Sequence, residues 1–596
     1  MRRSSIRTIT AISCVLFGAA AWLLGPHSSS DFAAQAQTAQ AKPDHATSDH
    51  GQGAQPASTP APAQLHPVSV SIPANSKPTS IPVLQPTAAP GTEIYTAKRG
   101  EAIPTIARRY LGKTSYLTSS ELAEAIRHVN GDRSGNILKA NENIVIPGIL
   151  PAPITEKTVP VAKDFEVRAI YLTGIMAASD HGLRIIRHWR EVGGNAVVFD
   201  IKDSDGSVNI PFEHPLLGKH QVYIHDVPKF VHFLHSQNMH AIARIAIFRD
   251  ERMVTEHPEL AVQSRKNKAP WRENGKLVWT DPSNPKVQEY NIALAKYVAG
   301  LGADEIQFDY VRFPAEGDQK DAAFVFQAEH ADPTPVVIPT GALAPGGTSV
   351  SPAQPAPLGA ETTESDCAAP AAKRRKNAAH GASRGAAAED PQAPEGRKNG
   401  CIAKHTTPSG PQRSDVIVGF LKKAYAEIHP TGALFSLDVF GVMAWQRQVD
   451  LSHTGQDIVG MAKYCDVLSP MIYPSHFFGM DNIAHPGDAP EHFVGESMDR
   501  FELITKGSGV TIRPWLQAFR WRTKTYSPEY IKVQVLTAKD KGGIGFLFWN
   551  AANDYSKPYA AMPEMRAVKD KFFRGDELPG TSVHASLPPG PTPAVP

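Results

Sequence analysis

The chain has 596 residues, too long for one ordinary domain and long enough to bury a large core. Lys and Arg total 61 against 59 Asp and Glu, and a net charge of +2 gives no basis for nucleic acid or an acidic polymer as partner. The 51 prolines and 45 glycines are unevenly spread, so linkers are expected around compact parts.

Residues 1–36 carry Arg2, Arg3 and Arg7 ahead of the apolar run Ile9–Leu24, the pattern of an export signal. The small-residue sites Ala34-Gln35-Ala36 and Ala39-Gln40-Ala41 lie well beyond that run, so a retained membrane anchor is the alternative to cleavage. Cys14 sits inside the run, which argues against lipoprotein processing. Either form places the rest outside the cytoplasm: in a periplasm, in the cell envelope or secreted. Residues 37–91, rich in Ala, Pro, Ser, Thr and Gln, read as a disordered spacer. Residues 92–150 predict a short strand (Ile94–Thr96), two helices (Ile103–Tyr110 and Ser120–Val129) and a closing strand (Asn143–Ile146). The wording YTAKRGEAIPTIARRY, then Ala125-Ile126, Asn130 and NENIVIP, resembles a LysM module. That resemblance implies binding of N-acetylglucosamine-containing glycans such as peptidoglycan.

Across residues 163–575 the pattern becomes strands separated by helices. Strands are expected at Val167–Thr173, Ala196–Ile201, Ala241–Phe248, Glu305–Tyr310, Ala433–Phe440, Val467–Tyr473, Ile512–Phe519 and Gly545–Trp549. Helical patterns include Gly182–Val192, Pro285–Gly300 and Pro528–Lys541. Eight such units over about 300 residues predict an α/β fold of the (β/α)8 TIM-barrel kind. A doubly wound open sheet is the alternative, but no Gly-rich phosphate loop follows the first strand. Residues 316–412 read as a low-complexity insertion after strand four, with the solvated basic run Lys373–Lys376 and with Cys367 and Cys401 able to pair in an oxidising compartment. Cys465 falls in the core. Residues 576–596 read as a disordered tail.

Strand four is the most informative stretch. In LGADEIQFDYVRFP, Ile306, Phe308 and Tyr310 alternate with Glu305, Gln307 and Asp309. Apolar outward residues pack on barrel helices, while inward residues at a strand's carboxyl end face the active-site mouth, which places Asp309 there with Arg312 just beyond. The same rule gathers Tyr171 from strand one, Asp200, Lys202 and Asp203 from strand two, and Arg244 from strand three. It adds Asp438 from strand five, Tyr473 and His476 from strand six, Arg513, Trp515 and Gln517 from strand seven, and Trp549 and Asn550 from strand eight. Acids beside aromatic platforms suit a sugar site, because two carboxyls can cleave a glycosidic bond and aromatic faces cover pyranose rings. No Cys-x-x-Cys, zinc-type His spacing or Gly-x-Ser-x-Gly elbow is present, so neither metal nor other cofactor is expected.

The wording VRAIYLTG, NAVVFDIKDSDG, IARIAIFRDERMVTEHPELAV, WTDPSNPKVQEYNIALAKYVAGLGADEIQFDYVRFP, FSLDVFGVMAW, LSPMIYPSHF, RPWLQAFRW and FWNAANDY resembles a bacterial putative glycosyl hydrolase domain family related to the α-amylase-like TIM barrels. It spans nearly all of Val167–Tyr555 outside the insertion. The resemblance implies a hydrolase, or at least a binder, of a polysaccharide. Amylase-type relatives place a nucleophilic Asp at the end of strand four, matched here by Asp309. They carry a Glu donor at strand five, where this chain has Asp438, and Asp203 competes for that role. The expected function is an exported retaining glycosidase acting on a cell-wall or other polysaccharide, with Arg244 and Arg312 holding Asp309 ionised. The alternative is a non-catalytic wall-binding protein.

Overall fold

The computed structural model describes residues 88–328 and 411–567. The export signal with Cys14, most of the spacer, most of the insertion with Cys367 and Cys401, and the tail lie outside the described residues. Near the start, Thr92–Thr96 pairs antiparallel with Asn143–Pro147, and helices Ile103–Tyr110 and Ser119–Val129 pack on that ribbon. Ile103, Ile106, Ala107 and Tyr110 recur on one helical face, which is the buried one. Thr118 caps the second helix by accepting the Glu121 amide at 3.2 Å.

Eight parallel strands follow: β1 (Val167–Leu172), β2 (Ala196–Lys202), β3 (His240–Ala246), β4 (Glu305–Asp309), β5 (Leu434–Phe440), β6 (Val467–Ile472), β7 (Trp515–Gln517) and β8 (Gly545–Trp549). Each pairs with the next, and β8 returns to β1, so the sheet closes. A helix follows each strand: α1 (Asp180–Glu191), α2 (Val227–Ser236), α3 (Pro285–Gly300), α4 (Arg413–Ile428), α5 (Ile458–Met461), α6 (Pro490–Thr505), α7 (Pro528–Asp540) and α8 (Ser556–Ala567). The expected (β/α)8 barrel is therefore formed. The open sheet is excluded.

Alternation along the strands separates two environments. Outward residues such as Ile170, Phe199, Ala243, Phe308 and Leu437 join one large apolar cluster with the helices. Phe308 lies 5.9 Å from Phe420 of α4 and meets Phe435 edge-on at 4.8 Å. Inward residues form a smaller cluster that includes Val167, Ala169, Tyr171, Val198, Ile242 and Trp515. Polar inward residues from β3, β4 and β5 fill the rest of the barrel. At its N-terminal end, Glu305 receives Arg513 at 2.8 and 3.0 Å and lies 3.1 Å from His240 Nε2.

Two local features displace residues from their expected places. The β2–β3 register shifts between Asp200 and Lys202, which breaks the inward alternation at a bulge. Strand seven is interrupted: Thr511–Ile512 pairs with the start of β6, and β7 resumes only at Trp515. Pro514, with no amide donor, lies in the gap.

Candidate active site

The carboxyl ends of β1 to β5 converge on one guanidinium. Arg244 gives Nη1 to Asp200 at 2.5 Å, and gives both Nη2 and Nε to one oxygen of Asp309, at 2.6 and 3.2 Å. The other Asp309 oxygen accepts the Tyr310 amide at 2.6 Å. Tyr310 reaches that geometry with φ of 54°, a left-handed backbone that bulky residues avoid and that recurs at functional sites. The outward apolar row on β4 thus ends at Phe308, and Tyr310 turns into the mouth loop. Asp200 is fully buried and also accepts the Tyr171 hydroxyl at 2.5 Å.

Asp438 stands on β5 next to Asp309. Leu437 is paired with Phe308, so the next residues along, Asp438 and Asp309, are neighbours across the two strands. One Asp438 oxygen accepts Trp515 Nε1 at 2.7 Å. Burial, and then the negative charge of Asp309, push the Asp438 carboxyl well above the usual carboxylate range. Asp200 is raised to about 7, chiefly by burial, with Arg244 opposing and Asp203 adding to the rise. Asp203 is half-buried in the turn after β2, where its Oδ1 accepts the Ser204 amide at 2.5 Å.

Aromatic rings wall the opposite side of the mouth. Trp549 lies 6.4 Å from Tyr171, 5.8 Å from Tyr473 and 5.2 Å from Phe519. His476, in the single turn Pro474–His476, packs 4.8 Å from Trp521. Burial, aided by the charge of Arg522, lowers His476 to about 4, so it is neutral at neutral pH. Phe519 and Trp521 were not among the residues expected from sequence. Both lie in the quoted RPWLQAFRW: Phe519 continues the expected inward row of Arg513, Trp515 and Gln517, so alternation could have found it, while Trp521 lies past the expected strand's end.

Several expected site residues serve elsewhere. Lys202, displaced by the β2 bulge, is fully buried, 2.8 Å from Asp250 and 3.0 Å from Asn291 of α3. It pins β2 to its surroundings. Arg513 lies in the break before β7 and so faces Glu305 at the opposite end of the barrel. Gln517 bonds the Ser475 amide, Phe519 O and the Thr523 hydroxyl, and is fully buried; it positions the loop that carries His476. Asn550 bonds the backbone of Ala518, Asp554 and Ala552, closing a turn. Arg312 makes no hydrogen bond or ion pair with Asp309; its guanidinium lies over Trp279 and Phe440 and donates to Phe313 O. The residues brought together are therefore Tyr171, Asp200, Arg244, Asp309, Asp438, Tyr473, His476, Trp515 and Trp549, with Asp203 at the edge.

A family model described as "Putative glycosyl hydrolase domain" matches residues 169–555. No curated protein matches the chain. Among solved structures, a hypothetical protein from Ruminiclostridium thermocellum is 37% identical, over 26% of this chain and 80% of its own, with a TM-score of 0.24. The PgaB (BpsB) glycoside hydrolase domain from Bordetella bronchiseptica is 12% identical, over 69% of this chain and 100% of its own, with a TM-score of 0.42. The spore cortex-lytic enzyme SleL from Bacillus megaterium is 11% identical, over 80% of this chain and 86% of its own, with a TM-score of 0.32.

Proposed function

Because the chain belongs to the family described as "Putative glycosyl hydrolase domain", we propose that it is a retaining glycosidase working with two carboxyls, Asp309 as nucleophile and Asp438 as acid/base. The observation that carries this reading is the contrast between these two neighbours. The Asp309 carboxylate is clamped by Arg244, while the Asp438 carboxyl is buried and pushed well above the usual carboxylate range, the direction that an acid/base requires. In the first step an Asp309 oxygen attacks the anomeric carbon as the glycosidic C–O bond breaks. The proton of Asp438 passes to the departing oxygen. In the second step Asp438, now a carboxylate, takes a proton from water, and that water displaces Asp309 from the sugar.

Strand geometry supports retention over inversion. Neighbouring strands lie about 4.8 Å apart, and both acids point inward at neighbouring positions. Retaining pairs are about 5–5.5 Å apart and inverting pairs roughly 6.5–9.5 Å. Asp200, enclosed by Tyr171 and Arg244, supports the nucleophile through Arg244 instead of touching substrate. Trp549, with the edges of Tyr171 and Tyr473 beside it, offers a face for a sugar ring.

In the same reading, residues 92–150 are a LysM-like module that holds the enzyme to peptidoglycan or another wall polysaccharide outside the cytoplasm. The strand–helix–helix–strand order of that segment supports it. Glycan release by the full chain from isolated peptidoglycan and a polysaccharide panel tests the proposal, with Asp309→Asn as control. Release that disappears in Asp309→Asn while binding persists is the expected outcome. Tight binding without release from either protein would replace it with a wall-binding role.

A further inference from the structure

Two guanidinium groups at the mouth have no part in the two-carboxylate chemistry. Arg312, just after β4, is only 8% exposed, and its guanidinium lies 4.5 Å from the Trp279 ring centre and 4.4 Å from that of Phe440. A guanidinium packed over rings keeps only its N–H edge for polar partners. Of that edge, Nη1 donates to Phe313 O at 3.0 Å. Arg249, just after β3, donates Nη1 to the Tyr310 hydroxyl at 3.0 Å. The two groups lie 5.7 and 5.4 Å from the Tyr310 ring centre, and Tyr310 directly follows Asp309.

Among the described residues, neither Arg249 nor Arg312 has a carboxylate within ion-pair distance. The charges of Glu273 on both, of Asp203 on Arg249 and of Asp309 on Arg312 act from beyond ion-pair distance, and Glu273 is committed elsewhere. Its oxygens accept Trp279 Nε1 at 2.9 Å and the amides of Ala315 and Glu316 at 2.9 and 2.8 Å. A buried charge without a paired partner is costly, and two like charges side by side add to that cost. Contrast Arg244, held by two carboxylates a few residues away. The two guanidiniums beside the mouth thus keep N–H donors that no carboxylate of the described residues takes up.

We propose that Arg249 and Arg312 form an anion subsite that takes the carboxylate of an acidic sugar within the bound glycan. The proposal rests on the glycosidase reading for the nature of the ligand. With Nη1 of Arg312 engaged, its Nε and Nη2 remain as a parallel pair of donors, the geometry that fits the two oxygens of a planar carboxylate. The subsite lies beside Asp309, so the acidic sugar is in or next to the ring that is cleaved.

The test is equilibrium binding to full-length protein carrying Asp309→Asn, so that hydrolysis plays no part and its absence cannot be mistaken for failure of the subsite. One pair of probes is a hexuronate oligosaccharide and its carboxyl-reduced neutral form. The second is a peptide-stripped muramyl glycan, with free lactyl carboxylates, against neutral N-acetylglucosamine oligomers. The expected result is at least about tenfold tighter binding of one acidic probe than of its neutral counterpart, and the pair showing it identifies the source of the carboxylate. Adding Arg312→Lys, which keeps the charge but loses the fork, or Arg249→Gln, at a half-buried position, brings the two forms within about twofold. Circular dichroism verifies that both variants fold. Equal binding of acidic and neutral forms, absence of binding to every probe, or a preference that survives both substitutions overturns the subsite.

Discussion

The two ends of the barrel interior use the same residue types to opposite effect. At the N-terminal end one carboxylate, Glu305, has two partners, Arg513 and His240. Burial alone would raise Glu305, but those partners more than reverse it and hold the carboxyl at about 2. At the mouth the pairing is inverted: Asp200 and Asp309 share the one guanidinium of Arg244, and Asp438 accepts only the Trp515 indole. Asp200 and Asp438 are both pushed upward. Depth of burial is similar at both ends, with Glu305 at 0% and Asp438 at 1% exposure. What separates the two ends is how many cationic partners each acid holds.

The largest expected effect breaks the lower network. Glu305→Gln leaves Arg513 buried without a carboxylate, and should cost about 3–5 kcal/mol of unfolding free energy in urea titration. Replacing both partners with leucine should restore much of that loss, because the unpaired charge disappears with its partner. The mouth should respond the other way. Asp438→Asn replaces a buried acid that has no ion-pair partner among the described residues and should change stability by no more than about 1 kcal/mol, while glycan release falls about 10²–10⁴-fold as the proton donor is lost. Strong destabilisation by Asp438→Asn would dissolve the distinction between the two ends.

A smaller and more selective effect lies in the pH dependence of stability. The folded pKa of Asp200, about 7, stands above the ordinary carboxyl value. Its contribution is therefore complete below about pH 4 and is lost as pH rises through 7, by at most about 1.4 kcal/mol per pH unit. Glu305 has the opposite sign: with a folded value of about 2, its contribution is present above about pH 4.3 and lost as pH falls. Urea midpoints measured from pH 3 to 8 should show Asp200→Asn flattening the decline between pH 4 and 7, and Glu305→Gln flattening the decline below 4. If both variants altered the same limb, the assignment of opposite roles would fail.

The barrel and the core of its site were legible because alternation on a buried strand has only two sides. Once Ile306 and Phe308 are assigned outward, Glu305, Gln307 and Asp309 must face inward, and Asp438 and Arg244 follow by the same rule. The rule failed wherever the backbone left the pleat. A one-residue shift after Asp200 turned Lys202 to Asp250, and the break at Pro514 left Arg513 at the wrong end of the barrel for a ligand. It also failed where loops need donors and acceptors: Gln517 and Asn550 satisfy backbone groups that exist only once the chain has folded. Trp521 was missed for the complementary reason, since a residue past a strand end carries no periodic signal; Phe519 was within reach of the rule, two residues after Gln517 in the expected strand.

The smallest predicted effect tests the side of the mouth that holds no charge. Trp549 is half-buried, unlike the fully enclosed Trp515 whose indole donates to Asp438. Its ring lies among Tyr171, Tyr473 and Phe519, all fixed by their own packing, so truncation leaves those three in place. Trp549→Ala should therefore change stability by about 1 kcal/mol or less, yet weaken oligosaccharide binding to the Asp309→Asn background by about 1–2 kcal/mol, the amount lost when a sugar face has no ring beneath it. Trp549→Phe should recover roughly half of the binding. If Trp549→Ala instead unfolds the protein while the affinity of the remaining folded fraction is unchanged, this wall belongs with Glu305 and Arg513 as part of the barrel's support. The sugar would then have to be read by the charged side of the mouth alone.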